Sequence, residues 1–234
     1  MHSVERHTIF FDFDSTLVDI ESFDELISLG MQNNTDKENI LKNIKEMTRK
    51  GMEGEMAFQD SLLKRLNYSD LNKRMFEPFA EKLKGHVTTG LGNYIRALQD
   101  AGHKVCILSG GFIEYILPVA RELDIPASQV FANHFTSDNN GNITGFDVSN
   151  PLIQDNGKSL LIRYLRSRFK IDGKVIVIGD GLTDYATYAD KQADLFIGCG
   201  IHIKRQIVKE KAEHYFTDIN ELKQFLNNYL KGFL

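Results

Sequence analysis

Only two cysteines occur in the 234 residues, Cys106 and Cys199, far apart and each in or beside an expected strand. One distant pair does not make a disulfide framework; free thiols in a reducing, cytoplasmic compartment are the expectation. No apolar run approaches the roughly 20 residues that span a bilayer, so no membrane association is expected. Residues 1–8 are polar and lack the apolar core of a signal peptide. Positive charge is not in excess: the formal net charge is −4, which leaves no polyanion-binding footprint and excludes nucleic acid as an expected partner. The seven histidines are scattered without i, i+3 or i, i+4 spacing, which disfavours a zinc or iron site. The length suits one domain with an insertion or two small domains, and a monomer and a homodimer are both open.

What is present begins with Ile9-Phe10-Phe11-Asp12-Phe13-Asp14-Ser15-Thr16-Leu17-Val18. An apolar run rich in aromatic and β-branched residues predicts a buried strand over 8–13. It ends in two carboxylates at i and i+2, which share one side of an extended chain. They would repel each other unless a cation or a shared proton relieved them. A helical block follows. Ser22 with Glu25 and Thr35 with Glu38 form capping-box patterns, an apolar stripe from Met56 to Leu66 marks a third helix, and Leu71, Met75 and Phe76 mark a fourth, expected to end near Pro78. No strand signal occurs over 19–85, and about 65 residues of helix are far more than one crossover needs. The excess predicts an inserted helical cap over 20–85 and a catalytic core made of 1–19 and 86–234.

From 86 onward helices and strands alternate. A helix ends at Gly102, a strand follows at Lys104-Val105-Cys106-Ile107-Leu108, and in the next helix Pro118 should kink or interrupt the pattern. A short strand over 130–132, a hairpin over 134–147 and a helix over 157–169 precede the strand Lys174-Val175-Ile176-Val177-Ile178. Leu195-Phe196-Ile197 and Tyr215-Phe216 are weaker strands, and 220–230 is a final amphipathic helix. The alternation defines an α/β fold, a doubly wound and mostly parallel sheet with helices on both faces and an inserted helical subdomain.

In such sheets ligands bind beyond the carboxyl ends of the strands. Three apolar strands run directly into polar chemistry: Asp12 and Asp14, then Ser109-Gly110-Gly111, then Gly179-Asp180-Gly181-Leu182-Thr183-Asp184. Singly, Ser-Gly-Gly and Gly-Asp-Gly are ordinary turns, and Lys158 is an ordinary solvated lysine at a helix start. Parallel strands bring the three segments to one edge, and that joint placement predicts a site. Four carboxylates there require cationic compensation, and oxygen-only ligands suit a hard ion, Mg²⁺. A serine hydroxyl, glycine N–H groups and one lysine are what cradles a phosphate. Metal and phosphate beside a free carboxylate suggest attack by that carboxylate to form an aspartyl-phosphate.

Asp12-Phe13-Asp14-Ser15-Thr16, Ser109-Gly110-Gly111-Phe112, Lys158 and the segment from Gly179 to Asp184 resemble the four motifs of the haloacid dehalogenase-like phosphatases. Glu21, Met52-Glu53-Gly54, Phe58, and Ser61-Leu62 leading to Arg65 narrow the likeness to the phosphoserine-hydrolysing branch of that family. Phe131-Ala132-Asn133 and Ile197-Gly198 to Arg205-Gln206 extend it over nearly the whole chain. Many members have Asn where this chain has Thr183; others carry Thr. No amino-terminal regulatory domain is expected. The resemblance implies that Asp12 is the nucleophile on phosphorus and that Asp14 is general acid and then general base. It implies Mg²⁺ on the Asp12 side chain, the Asp14 carbonyl and Asp180, with Asp184 positioning its waters. Ser109, Gly110, Gly111 and Lys158 would bind the phosphoryl oxygens, and Thr16 and Thr183 would support the site. The implied substrate is a small molecule, O-phosphoserine, with its ammonium on Glu21, its carboxylate on Arg65, and Met52, Glu53 and Phe58 in the substrate-reading cap. Closure of the helical block to exclude water is expected. Two other readings stay open: another small-molecule phosphatase or phosphotransferase of the superfamily, and a phospho-accepting receiver that signals without turnover.

Overall fold

The computed structural model describes residues 6–31, 35–168 and 170–231. The ends of the expected core (1–5, 232–234), residues 32–34 of the expected cap and residue 169 of an expected helix lie outside the described residues. Strands β1 (Thr8–Phe11), β2 (Lys104–Phe112), β3 (Val130–Asn133), β6 (Val175–Gly179), β7 (Leu195–Cys199) and β8 (His214–Phe216) form one sheet in the order β3-β2-β1-β6-β7-β8, with every pair parallel. The hairpin of β4 (Phe135–Ser137) and β5 (Ile143–Phe146) stands apart from it.

All four residues of β1 are buried, as expected for a parallel strand covered on both faces. Successive side chains point to opposite faces. Ile9 and Phe11 share a cluster with Val105, Ile107, Ile176 and Ile178, whereas Phe10 packs with Cys106, Leu108, Val175 and Val177 on the other face. Both cysteines are free and buried, and burial pushes each thiol up to about 12, so neither is poised to react. In register, Phe11 stands beside Ile107 and Ile178. The ends of β1, β2 and β6 therefore reach the sheet edge together, where the strand order changes direction on either side of β1.

Helices α1 (Ser22–Gly30), α2 (Lys37–Met52), α3 (Phe58–Leu66) and α4 (Phe76–Lys84) lie between β1 and α5 (Leu91–Asp100). The chain leaves and re-enters the sheet side by side: Val18 pairs antiparallel with Val87, and the Asp19 N–H donates to the His86 carbonyl at 3.0 Å. The remaining helices are α6 (Ile113–Glu122), α7 (Gly157–Ser167), α8 (Leu182–Ala189), α9 (Gln206–Lys211) and α10 (Ile219–Lys231). Among the described residues no helix is long and apolar enough to cross a membrane.

Several local expectations are corrected. Pro78 sits in the first turn of α4 and begins that helix rather than ending it, because a first-turn residue has no intrahelical N–H bond to lose. Helix α6 runs through Pro118 without a break. Ser22 is the first residue of α1, not its cap; its N–H is taken by the Asp14 carboxylate at 2.8 Å, so capping comes from the β1 loop. Helix α2 starts at Lys37 after Asp36, with no side-chain cap from Thr35. Ser109, Gly110 and Gly111 lie within β2, where its pairing with β3 shifts between Leu108 and Phe112. The hairpin touches the helical insertion, with the Lys73 N–H on the Gly141 carbonyl and the Ile143 N–H on the Leu71 carbonyl, both at 2.9 Å.

Candidate active site

Asp12 leaves β1 still extended, and its Oδ1 accepts the Phe13 N–H at 2.7 Å. The chain then turns tightly over Phe13–Leu17, with Ser15 in the left-handed region at φ 52°. Asp12 and Asp14 are therefore brought together by a strained turn rather than by strand alternation, because the strand ends at Phe11. Lys158, in the first turn of α7, places Nζ 2.9 Å from Asp12 Oδ1 and 2.7 Å from Asp184 Oδ1. Asp180 follows β6, and Asp184 sits in the first turn of α8, where its Oδ2 accepts the Gly181 N–H at 3.2 Å. A Cβ on Gly179 would fall 2.2 Å from Asp184 Cγ, so glycine there is what lets that carboxylate pack against the strand end.

Carboxylate oxygens of Asp12, Asp180 and Asp184 all lie within 4.8 Å of one another, and all three residues are buried. Lys158 offsets part of this charge. So does Arg205, whose Nε donates to Asp180 Oδ2 at 2.9 Å and whose Nη2 donates to Glu21 Oε1 at 3.1 Å. The surplus of negative charge shows in the acids. Burial, with repulsion from neighbouring carboxylates, pushes Asp180 up to about 6, Asp14 up to about 7 and Glu21 up to about 8, and raises Asp184 well above its ordinary value. Burial works against the charged form of Lys158, but Asp12 and Asp184 outweigh it and raise the ammonium above its ordinary value. Asp180 Oδ1 is buried without a hydrogen-bond partner among the described residues. A carboxylate oxygen left so is costly, and its place in an oxygen-only cluster of three acids fits a bound cation.

Asp12, Asp14, Glu21, Met52, Phe58, Arg65, Ser109, Gly110, Gly111, Lys158 and Thr183 line one cavity of about 30 Å³, whereas Asp180 and Asp184 do not line it. That space holds a water or two. The helical insertion packs closely over it: a Cβ on Gly110 would lie 2.4 Å from the Phe58 ring, and one on Gly181 would lie 2.5 Å from the Met52 methyl. Ser109 Oγ accepts the Gly111 N–H at 2.9 Å, which leaves its hydroxyl proton to donate to a ligand. Glu53 does not line the cavity; its carboxylate is drawn to Arg49 on the cap surface. Thr16 is buried behind the cavity and does not line it; its carbonyl accepts the Thr88 hydroxyl at 2.8 Å.

Four contributors carry no local sequence signal. Asp24 Oδ1 accepts Arg65 Nη1 at 2.7 Å, Thr48 Oγ1 accepts the same nitrogen at 2.8 Å, and the Arg65 guanidinium lies 5.0 Å over the Phe23 ring. Arg205 closes a pairing with Glu21 across 184 positions. Its segment resembles the family, but nothing near it in sequence announces an acid partner.

The family profile for haloacid dehalogenase-like hydrolases matches residues 9–188, and the chain belongs to that family. Among individual relatives, it is similar to the phosphoserine phosphatase of Mus musculus, 36% identical over 213 residues that cover 91% of this chain and 89% of that one. In three dimensions it is similar to a phosphoserine phosphohydrolase-like protein of Francisella tularensis, with 33% identity, a TM-score of 0.85, and coverage of 94% of this chain and 99% of that one. It is also similar to a structure described as a phospho-aspartyl intermediate analogue of phosphoserine phosphatase, with 27% identity, a TM-score of 0.76, and coverage of 94% and 99%.

Proposed function

We infer that the protein is a phosphoserine phosphatase, hydrolysing O-phospho-L-serine to L-serine and phosphate through an aspartyl-phosphate. The observation that carries this reading is one closed cavity. Asp12, held by a buried lysine, faces it from the core, and one acid and one base, Glu21 and Arg65, face it from the cap side. Phosphoserine offers an ammonium and a carboxylate besides its phosphate, and a pocket that selects it needs one group of each sign. The protein partners of Glu21, Ser15 and Arg205, both fall on Oε1, and the side-chain partners of Arg65 both fall on Nη1. Among the described residues Oε2 and Nη2 have no side-chain partner and remain for the ligand, with the planar guanidinium suited to a carboxylate.

In this reading Asp12 attacks phosphorus while the protonated Asp14 carboxyl gives its proton to the serine alkoxide. A second acid is needed because an aliphatic alkoxide leaves poorly unless protonated, and the carboxylate bonded to phosphorus cannot also donate. Burial raises Asp14 to about 7, which makes the protonated form available for that step and lets the group lose the proton again. Asp14 then takes a proton from the water that hydrolyses the phospho-enzyme. Ser109, the Gly110 and Gly111 N–H groups and Lys158 stabilise charge on the transferring oxygens. Asp12, Asp180 and the Asp14 carbonyl would hold Mg²⁺, with Asp184 orienting its waters; the ion supplies neutralisation of phosphoryl charge when bound. Residues 20–85 act as the cap, and because the closed cavity is far smaller than the substrate, the cap opens in every cycle. The free, buried cysteines suit a reducing, cytoplasmic compartment.

Phosphate release from L-phosphoserine against a panel of phosphomonoesters, with and without Mg²⁺, tests the assignment. Strong discrimination against esters lacking the ammonium or the carboxylate is expected. Equal rates across the panel would overturn the substrate, and a phospho-enzyme stable for minutes would replace hydrolysis with signalling.

A further inference from the structure

Helix α3 gives three residues of one face to the cavity, Phe58, Leu62 and Arg65, beside Thr48 and Met52 of α2. The start of that helix is chemically bare. Ala57 occupies the N-cap position and offers no side-chain acceptor. The Phe58 N–H is satisfied from the core instead, by Asp155 Oδ1 at 2.8 Å, across 97 positions of sequence. Asp155 belongs to the short segment between the turn Pro151–Ile153 and α7, three residues before Lys158. A negative side chain at a helix N-terminus is also favoured by the aligned peptide dipoles.

Other parts of the insertion are tied down independently of the cavity. Helix α4 packs Phe79 edge-on against Tyr115 of α6, with ring centroids 5.4 Å apart, and Phe76 stacks on Phe135 of β4 at 5.2 Å. The segment before α4 is hydrogen-bonded to the hairpin through Leu71 and Lys73. Between that tether and the paired linkers at Val18 and Val87, helix α3 makes this hydrogen bond with the loop that delivers Lys158.

We propose that Asp155 is a positioning residue for lid closure: its carboxylate caps α3 in trans when the lid is down, and so sets Phe58 and Arg65 over a substrate whose phosphate Lys158 holds. The proposal rests on the phosphatase reading for its substrate but not for the latch itself. Opening breaks the bond and leaves the Phe58 N–H to water; closing restores it, so the contact favours the closed form alone. Loss of a helix cap of this kind corresponds to about a 2- to 30-fold change in equilibrium.

The test compares Asp155→Ala and Asp155→Asn with the wild-type chain. Asp155→Ala should lower kcat/KM for phosphoserine about 2- to 30-fold, mainly through KM, with kcat/KM for p-nitrophenyl phosphate unchanged. Asp155→Asn keeps an Oδ1 acceptor and should recover most of the loss. In the presence of tetrafluoroaluminate, limited proteolysis within 37–66 should be faster for Asp155→Ala than for wild type. Equal cleavage in the two proteins overturns the latch, and so does a parallel fall on p-nitrophenyl phosphate, which would assign Asp155 to the phosphate loop. Should the wild-type chain leave phosphoserine untouched, the substrate assignment fails, and the proteolysis comparison decides the latch by itself.

Discussion

Replacing Arg65 with methionine separates what the guanidinium does for the fold from what it does for the substrate. Arg65 and Asp24 are 4% and 6% exposed, so Arg65→Met strands a buried carboxylate. Removing one partner of such a pair costs about 3–5 kcal/mol, which for a chain of this size lowers Tm by roughly 6–20 °C. Thr48 still donates to Asp24 Oδ2 at 2.7 Å, which points to the lower end of that range. In the double variant Asp24→Asn/Arg65→Met no charge is stranded, so most of the lost stability should return. Selectivity should not return with it. The substrate carboxylate loses a charge-assisted bond in both variants, about 1.5–3 kcal/mol or roughly 10- to 150-fold in kcat/KM for phosphoserine. p-Nitrophenyl phosphate has no carboxylate and should change little. Thermal melts and parallel kinetics on the two substrates provide the readout. A double variant that melts no higher than the single one refutes the stranded-charge reasoning, and equal losses on both substrates remove Arg65 from carboxylate recognition.

Further expectations concern the core and the lid. Asp12→Asn should abolish turnover, while Asp14→Asn should slow both phosphorylation and dephosphorylation about 100- to 10,000-fold in rapid-quench kinetics; a defect in one half-reaction alone would contradict the double role. Gly110→Ala places a methyl 2.4 Å from the Phe58 ring, so closure is blocked and kcat/KM for phosphoserine falls roughly 5- to 150-fold, with partial recovery on adding Phe58→Ala. The raised carboxyls at Asp180, Asp14 and Glu21, about 6, 7 and 8, keep their protons to higher pH in the folded metal-free protein than in the unfolded chain. Their stabilisation is complete below the unfolded values near about 4 and is lost as pH rises through the folded values. Mg²⁺ should therefore raise Tm more at about pH 8 than at about pH 6, with proton release on binding; an equal rise at both values would contradict this.

The parts of the molecule legible in the sequence are those encoded locally. The apolar run into Asp12 and the apolar strand into Gly179-Asp180-Gly181 each carry their signal within a few residues, and parallel pairing brings them to one edge; Lys158 is singled out only by the family resemblance. The Asn-rich hairpin is equally local, with Gly141 at φ 80°. What escapes is set by side-chain choices that the pattern leaves open and by partners distant in sequence. Ser22 looks like a cap until Asp14, eight residues earlier, takes its N–H, and Glu53 looks like part of the pocket until Arg49, one helical turn earlier, draws it away. Pro78 falls in the first turn of its helix rather than at its end, and the segment before it is bonded to a hairpin some 70 positions later, as from Asn72 to Asn142. Arg205 and Asp24 join the candidate site only through Asp180, Glu21 and Arg65, pairings that no local pattern reveals.

Trapping the covalent intermediate probes the chemistry at Asp12 without intermediaries. Phosphoserine labelled in its phosphate, mixed with the Mg²⁺-loaded enzyme and quenched in acid within one turnover, should leave label on protein; borohydride reduction should then convert residue 12, and no other, to homoserine. Label on a different side chain, or full turnover with residue 12 unmodified at every quench time, would contradict nucleophilic attack by Asp12.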